Sequence, residues 1–122
     1  PQMTGVPITL GLIDRLTAAF PGVVAGLKDS SGKWDNTAAV IAAFPQIETY
    51  SASESLLPQN VAAGGAGCIS ASANVNTAGI ARLIRVLGTA DEAAAADQAA
   101  QVRRIFEGLP LIPAIKAAMA RR

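Results

Sequence analysis

Lys28 ends the apolar run Val23-Val24-Ala25-Gly26-Leu27 and is followed at once by the polar turn Asp29-Ser30-Ser31-Gly32. Such a run reads as a buried strand of a parallel sheet, and the last residue of a strand of this kind is where barrel enzymes place their reacting groups. An ammonium held against apolar walls loses hydration, which favours the neutral amine and makes it a nucleophile toward carbonyl carbon. A lysine at a strand end also snorkels to water with no chemistry at all, and position alone leaves both readings open. Two more apolar runs end in polar groups: Ser51-Ala52-Ser53-Glu54, and Ser70-Ala71-Ser72 with Asn74. If the three strands are parallel and adjacent, their ends share one face. That face then holds an amine, hydroxyls that donate to carboxylate or carbonyl oxygens, and an acid able to orient a polar substrate.

Other chemistries are excluded by composition. Cys68 is the single cysteine and histidine is absent, which removes the usual zinc ligand sets, Cys/His pairs, Ser-His-Asp triads and intrachain disulfides. Cys68, flanked by Gly67 and Ile69, reads as a small buried hydrophobe. The cluster Gly64-Gly65-Ala66-Gly67 precedes a strand, whereas a phosphate cradle joins a strand to a helix, so it reads as a helix stop and tight turn. With 122 residues, 51% hydrophobic and 16% charged, the chain fits a soluble α/β class, and its cysteine usage fits a cytoplasmic setting. Net charge is +1, and the basic pairs Arg103-Arg104 and Arg121-Arg122 read as solvated helix surface, so no nucleic-acid partner is expected. No membrane span is expected either, because the most apolar stretch, Leu109 to Ala120, is interrupted by Pro110, Pro113 and Lys116. Asp14, Glu48, Asp91, Glu92, Asp97 and Glu107 are expected to be solvated. The chain starts Pro-Gln-Met, which reads as a piece of something longer.

The elements that must position these groups follow from caps, breakers and periodicity. Thr9 caps a helix with Leu10, Ile13, Leu16 and Phe20 inward, stopped by Pro21-Gly22. The first strand spans Val23 to Lys28. Asp35 or Asn36 starts a second helix with Val40, Ile41 and Phe44 inward, ended by Pro45, and Ile47 to Ser51 is the second strand. A short helix begins near Glu54 to Pro58 and runs to Ala63. The third strand is Gly67 to Ser70, and Asn76 or Thr77 opens a helix through Ile80, Leu83, Ile84 and Leu87. Asp91 to about Glu107 is helical, with Ala93 to Ala100 strongly biased that way, and Pro113 starts a last helix. Strands separated by single helices give a parallel sheet. A complete (β/α)8 barrel takes about 250 residues. The expected architecture is therefore α/β, the carboxyl half of such a barrel, with barrel βα units over 1–90 and a helical extension of the same domain over 91–122. A free-standing three-stranded module is the alternative, but it leaves strand edges open.

The segment Gly26-Leu27-Lys28-Asp29-Ser30-Ser31-Gly32 resembles the strand-six signature of the dihydrodipicolinate synthase and N-acetylneuraminate lyase family of pyruvate-linked class I aldolases. Pro1-Gln2-Met3-Thr4-Gly5 is similar to that family's segment after strand five. Gly64 to Ser70 with Ala73-Asn74-Val75 is similar to its strand-eight region, and Pro110 to Lys116 loosely matches a late helix start. The resemblance implies that the strands are six to eight of the barrel, and that Lys28 forms a Schiff base with pyruvate or another 2-oxo acid. It implies that Ile69 stands beside pyruvate through its backbone carbonyl, and that Thr4, Ser53, Glu54 and Ser70 are substrate contacts. No metal or cofactor beyond the covalent imine is implied. A homotetramer or dimer is, and so is an amino-terminal half that carries the family's proton-relaying tyrosine and carboxylate-binding loop. Tyr50 does not replace that tyrosine, since it belongs to a different strand. Met3 stands where dihydrodipicolinate synthases are similar in carrying arginine, and a thioether offers no fork of donors to a carboxylate. Cleavage of a 2-oxo-3-deoxy sugar acid is therefore expected alongside the synthase-like condensation. A catalytically silent barrel that binds ligands or partners is the alternative.

Overall fold

The computed structural model describes residues 5–121. Helix α1 (Leu10–Ala19) begins where the sequence places it, because Thr9 Oγ1 accepts the Leu12 N–H at 3.2 Å. It stops at Phe20, before the turn in which Gly22 adopts φ 76°. Strand β1 (Gly26–Asp29) starts three residues later than the apolar run predicts. The Val23 N–H is spent on the Phe20 carbonyl at 3.1 Å, so that stretch completes the turn. Pairing begins only at the Ala25 carbonyl, which accepts from the Glu48 N–H at 2.9 Å.

Helix α2 (Trp34–Ala43) follows, with Asp35 in its first turn where the exposed N–H groups favour an anion. Strand β2 (Glu48–Ser51) leads through a 3₁₀ turn (Glu54–Leu56) into the short helix α3 (Leu57–Ala62), which carries Pro58 in its first turn as expected. The glycine cluster then acts as the stop and turn that the sequence indicates, with Gly64 at φ 95° and Gly67 at φ 137°. Buried Asn60 ties this turn to the sheet: its Nδ2 donates to the Thr49 carbonyl at 3.3 Å, and its Oδ1 accepts the Gly67 N–H at 3.0 Å. Strand β3 is only Gly67–Cys68, two residues shorter than predicted, because Ser70 and Ser72 are drawn away from the ladder.

Helix α4 (Ala73–Val86) starts earlier than Asn76 and is kinked there, at φ −130° and ψ 36°. Helices α5 (Glu92–Arg104) and α6 (Leu111–Met119) complete the chain, and Pro113 lies inside the first turn of α6, where a missing N–H costs no hydrogen bond. No helix among the described residues is long and apolar enough to cross a membrane.

The three strands are parallel in the order β1-β2-β3, with Lys28 opposite Tyr50, Asp29 opposite Ser51, Tyr50 opposite Gly67, and Ser51 opposite Cys68. Alternation along the strands separates two faces. Leu27, Asp29, Thr49, Ser51 and Cys68 turn toward the helices. Gly26, Lys28, Glu48 and Tyr50 turn to the other side.

Two apolar clusters fill the helix side. One joins Ile13, Val40, Phe44 and Ile47 with Leu27; the other joins Leu57, Ile80, Leu83, Ala95 and Ala99 with Cys68 against it. Val40, Ile41 and Phe44 are thus inward as predicted, and Cys68 packs as a hydrophobe. Of the four α1 positions expected inward, only Ile13 is buried; Leu10, Leu16 and Phe20 remain exposed. Helix α1 leads into β1, the edge strand, so among the described residues only one side of its apolar stripe meets a partner.

Candidate active site

In parallel strands all carboxyl ends lie at one edge of the sheet, so Lys28, Ser51 and the residues after Cys68 are brought to the same side. Lys28 is exposed on the face opposite the helices, and its register partner is Tyr50, one strand away at about 4.8 Å. The Tyr50 hydroxyl donates to Glu48 Oε2 at 2.6 Å, and this bond, which favours the protonated phenol, raises its pKa above the ordinary 10.0. Glu48, expected to be merely solvated, is thus the acceptor for the aromatic residue beside the amine.

Each residue around Lys28 has a local reason to be what it is. At Gly26 a side chain would run into β2, since a Cβ there would stand 2.5 Å from the Glu48 carbonyl oxygen. Asp29 faces the opposite way from Lys28 and is 7% exposed. Its Oδ1 accepts the Ser31 N–H at 2.9 Å, and its Oδ2 accepts the hydroxyls of Ser31 at 2.9 Å and Thr37 at 2.6 Å. Burial alone would push this carboxyl up. The hydrogen bonds from Thr37, Ser31 and Asn36 outweigh it and hold the pKa below the ordinary 3.8. Ser31 Oγ in turn accepts the Lys33 N–H at 3.1 Å, and Gly32 takes φ 70°. The loop from β1 to α2 is therefore braced from its own carboxylate, directly behind the amine.

The other predicted site residues divide. Ile69 is half exposed, directly after β3, with its N–H on the Ser51 carbonyl at 2.9 Å. Ser53 is partly buried and caps the 3₁₀ turn, accepting the Ser55 N–H at 3.1 Å. Thr4 lies outside the described residues. Glu54 and Ser70 differ from the expectation of substrate contacts. They are 1% and 8% exposed and are engaged with each other, the Ser70 hydroxyl donating to Glu54 Oε2 at 2.5 Å. Ser72 donates to Glu54 Oε1 at 2.5 Å, and Ser70 Oγ and Ser72 Oγ lie 2.8 Å apart. Arg103, read from sequence as solvated surface, donates through Nη1 to Glu54 Oε2 at 3.3 Å, to Ser70 Oγ at 3.3 Å and to Ser72 Oγ at 3.5 Å.

Sequence reasoning missed Arg103, Thr37 and the Lys28–Tyr50 adjacency. Only the adjacency had a signal, the expected parallel pairing of the first two strands. The Cys68 thiol is pushed up in pKa by burial and by the Glu54 carboxylate, although Arg103 opposes this, which suits a packing residue and not a reactive one. A cleft of about 740 Å³, lined by Phe20, Val24, Ala25, Ile47 and Glu48 among others, opens at the amino ends of β1 and β2. It is at the opposite end of the sheet from Lys28, and its lining contains no amine.

Comparison with known proteins bears on the fold and the family. The family model described as the dihydrodipicolinate synthetase family matches residues 1–122. An uncharacterized DapA-like lyase of Chloroflexus aurantiacus is 36% identical over 124 residues, a match that takes in 98% of this chain and 40% of the relative. The dihydrodipicolinate synthase of Agrobacterium tumefaciens superposes with a TM-score of 0.72 at 31% identity, over 99% of this chain and 40% of that one. YagE, a prophage protein of the dihydrodipicolinic acid synthase family from E. coli K12 solved in complex with pyruvate, superposes with a TM-score of 0.84 at 23% identity, over 98% of this chain and 43% of that one. The chain thus spans about 40% of the length of its relatives. Its α/β fold is that of the corresponding part of those proteins, and its lyase relationship rests on the match along all of its residues: the chain belongs to the dihydrodipicolinate synthetase family.

Proposed function

We propose that this chain supplies strands six to eight and the following helices of a (β/α)8 lyase, in which Lys28 forms a Schiff base with pyruvate or another 2-oxo acid. The observation that carries the reading is the placement of Lys28. It is the only amine within the three described strands, next to the carboxyl end of β1 and on the face away from the helices, with its loop braced from behind by Asp29. YagE, of the same fold, binds pyruvate.

The chemistry follows from the amine. The Lys28 Nζ lone pair attacks the ketone carbon, and the resulting carbinolamine loses water to give a protonated imine. That cation is an electron sink. In the cleavage direction the bond between C3 and C4 breaks and its electron pair becomes the enamine, while the C4 hydroxyl loses its proton and C4 leaves as an aldehyde; C3 of the enamine then takes up a proton to give the pyruvate imine. In the condensation direction C3 first loses a proton to form the enamine, which then attacks an aldehyde carbon. Hydrolysis of the final imine returns free Lys28. The Ile69 backbone carbonyl faces the bound 2-oxo acid, and Thr4 and Ser53 offer hydroxyls to the remainder of the substrate. The proton relay and the cradle for the pyruvate carboxylate come from the portion of the barrel that precedes these strands. With Met3 in place of an arginine, no fork of donors is offered to a carboxylate on the aldehyde partner, which favours 2-oxo-3-deoxy sugar acids.

The test is reductive trapping. The complete barrel protein containing this chain, incubated with pyruvate and borohydride, should acquire a covalent adduct on the peptide carrying Lys28, and Lys28→Ala should abolish it. Pyruvate binding with no adduct at Lys28 would instead indicate a silent, ligand-binding barrel.

A further inference from the structure

Glu54 is the acid most withdrawn from solvent among the described residues, with a side chain 0% exposed. A carboxylate is tolerated in such a place only when its oxygens are paired and hydrogen-bonded. Here Oε1 takes the Ser72 hydroxyl, and Oε2 takes the Ser70 hydroxyl and the Arg103 guanidinium. No surface remains for a substrate to reach. The cluster instead gathers three separate pieces of chain: the 3₁₀ turn after β2, the segment after β3, and the last turn of α5.

Ile69 lies at the focus of this arrangement. Its N–H is fixed by the Ser51 carbonyl at 2.9 Å. Its own carbonyl belongs to the peptide plane shared with Ser70, whose side chain Glu54 holds at 2.5 Å. Both sides of the residue are thus anchored, one by the sheet and one by the carboxylate. We propose that Glu54 is a positioning residue: with Arg103 as its counter-ion it clamps Ser70 and Ser72, and so fixes the direction of the Ile69 carbonyl beside the Lys28 imine. This rests on the Schiff-base reading above. It assigns to α5, through Arg103, a part in holding the reaction site although no residue of that helix enters it.

The test compares the rate of pyruvate-dependent borohydride trapping at Lys28 in the complete barrel protein and its Glu54→Gln variant. Glutamine keeps the shape and one acceptor oxygen, but it turns an N–H₂ toward groups that donate. A shift of the Ile69 carbonyl should slow trapping about ten- to a hundredfold, with the KM for the aldehyde partner unchanged. Ser70→Ala, a smaller change that leaves Glu54 and Arg103 paired, should slow trapping about three- to tenfold, and it carries the test should Glu54→Gln fail to fold. Trapping at the wild-type rate in a folded variant would overturn the proposal. So would a change confined to the KM of the aldehyde partner, which would mean that Glu54 meets substrate directly. A wild-type protein that is never labelled at Lys28 overturns the Schiff-base reading and this inference with it, whereas a labelled wild type with an equally fast variant overturns this inference alone.

Discussion

At the scale of single residues, Asp29 and Lys28 show how adjacent positions on a strand divide the work. Alternation sends the amine to one face and the carboxylate to the other, where Ser31 and Thr37 donate to it. Because those bonds favour the anion, the folded-state pKa lies below the unfolded value, near the ordinary 3.8. The sign of the linkage follows: Asp29 contributes stability that is fully present above the unfolded pKa and is lost as pH falls through it toward the folded pKa. Asp29→Asn should therefore destabilise the protein by about 1–3 kcal/mol at neutral pH, and the gap from wild type should narrow as pH falls below about 4. Denaturant unfolding at a series of pH values measures this. A gap that stays constant down to acid pH would mean that the charge of Asp29 contributes nothing.

At the scale of elements, α5 docks by a stripe spaced at one helical turn. Ala95 and Ala99 are buried against the cluster that contains Leu83, and Arg103, four residues further on the same face, reaches Glu54. Small side chains let α5 lie close to α4, and that closeness carries Arg103 to its partner. Ala99→Leu should force the helices apart, at a cost of about 1–3 kcal/mol, and should loosen the Glu54 clamp as well. Ala94→Leu, on the exposed side of α5, should stay within about 0.5 kcal/mol of wild type. Equal losses from the two, measured by denaturant unfolding, would show that the stripe does not set the docking.

The same helix shows what local pattern can reveal. The Thr9 cap, the Pro21-Gly22 and Gly64-Gly65 stops and the alanine-rich helix were all readable, because each depends on neighbours a few residues away. The role of Arg103 was not, since Glu54 lies 49 residues earlier. Nor were the strand limits of β1 and β3, which depend on where the partner strand and the buried carboxylate draw the backbone. Lys28 itself was readable as a candidate, but the neighbour that register gives it, Tyr50, appears only when the strands are aligned.

At the scale of the molecule, the sheet has β1 and β3 as its edges, and its Lys28 face has no layer against it among the described residues. Several large apolar side chains are correspondingly open to water, including Phe20 and Val23 before β1 and Ile69 after β3. Val23 is 74% exposed, although it stands in the apolar run that first suggested a buried strand. Unpaired strand edges accept further strands, and exposed apolar surface of this kind favours association over a solvated monomer. The two buried clusters are sufficient to organise the helices on one side but do nothing for the other. Expressed by itself, the 122-residue chain should therefore self-associate and bind a hydrophobic dye, and should unfold over a broad range. Supplied in trans with the preceding portion of the barrel proposed above, it should lose dye binding and gain a sharp transition, because on that proposal these exposed apolar residues are then covered. Sedimentation and dye fluorescence across a concentration series distinguish these states. A monomeric isolated chain with a single cooperative transition would show that three strands and their helices suffice and that Lys28 needs no second half to enclose it.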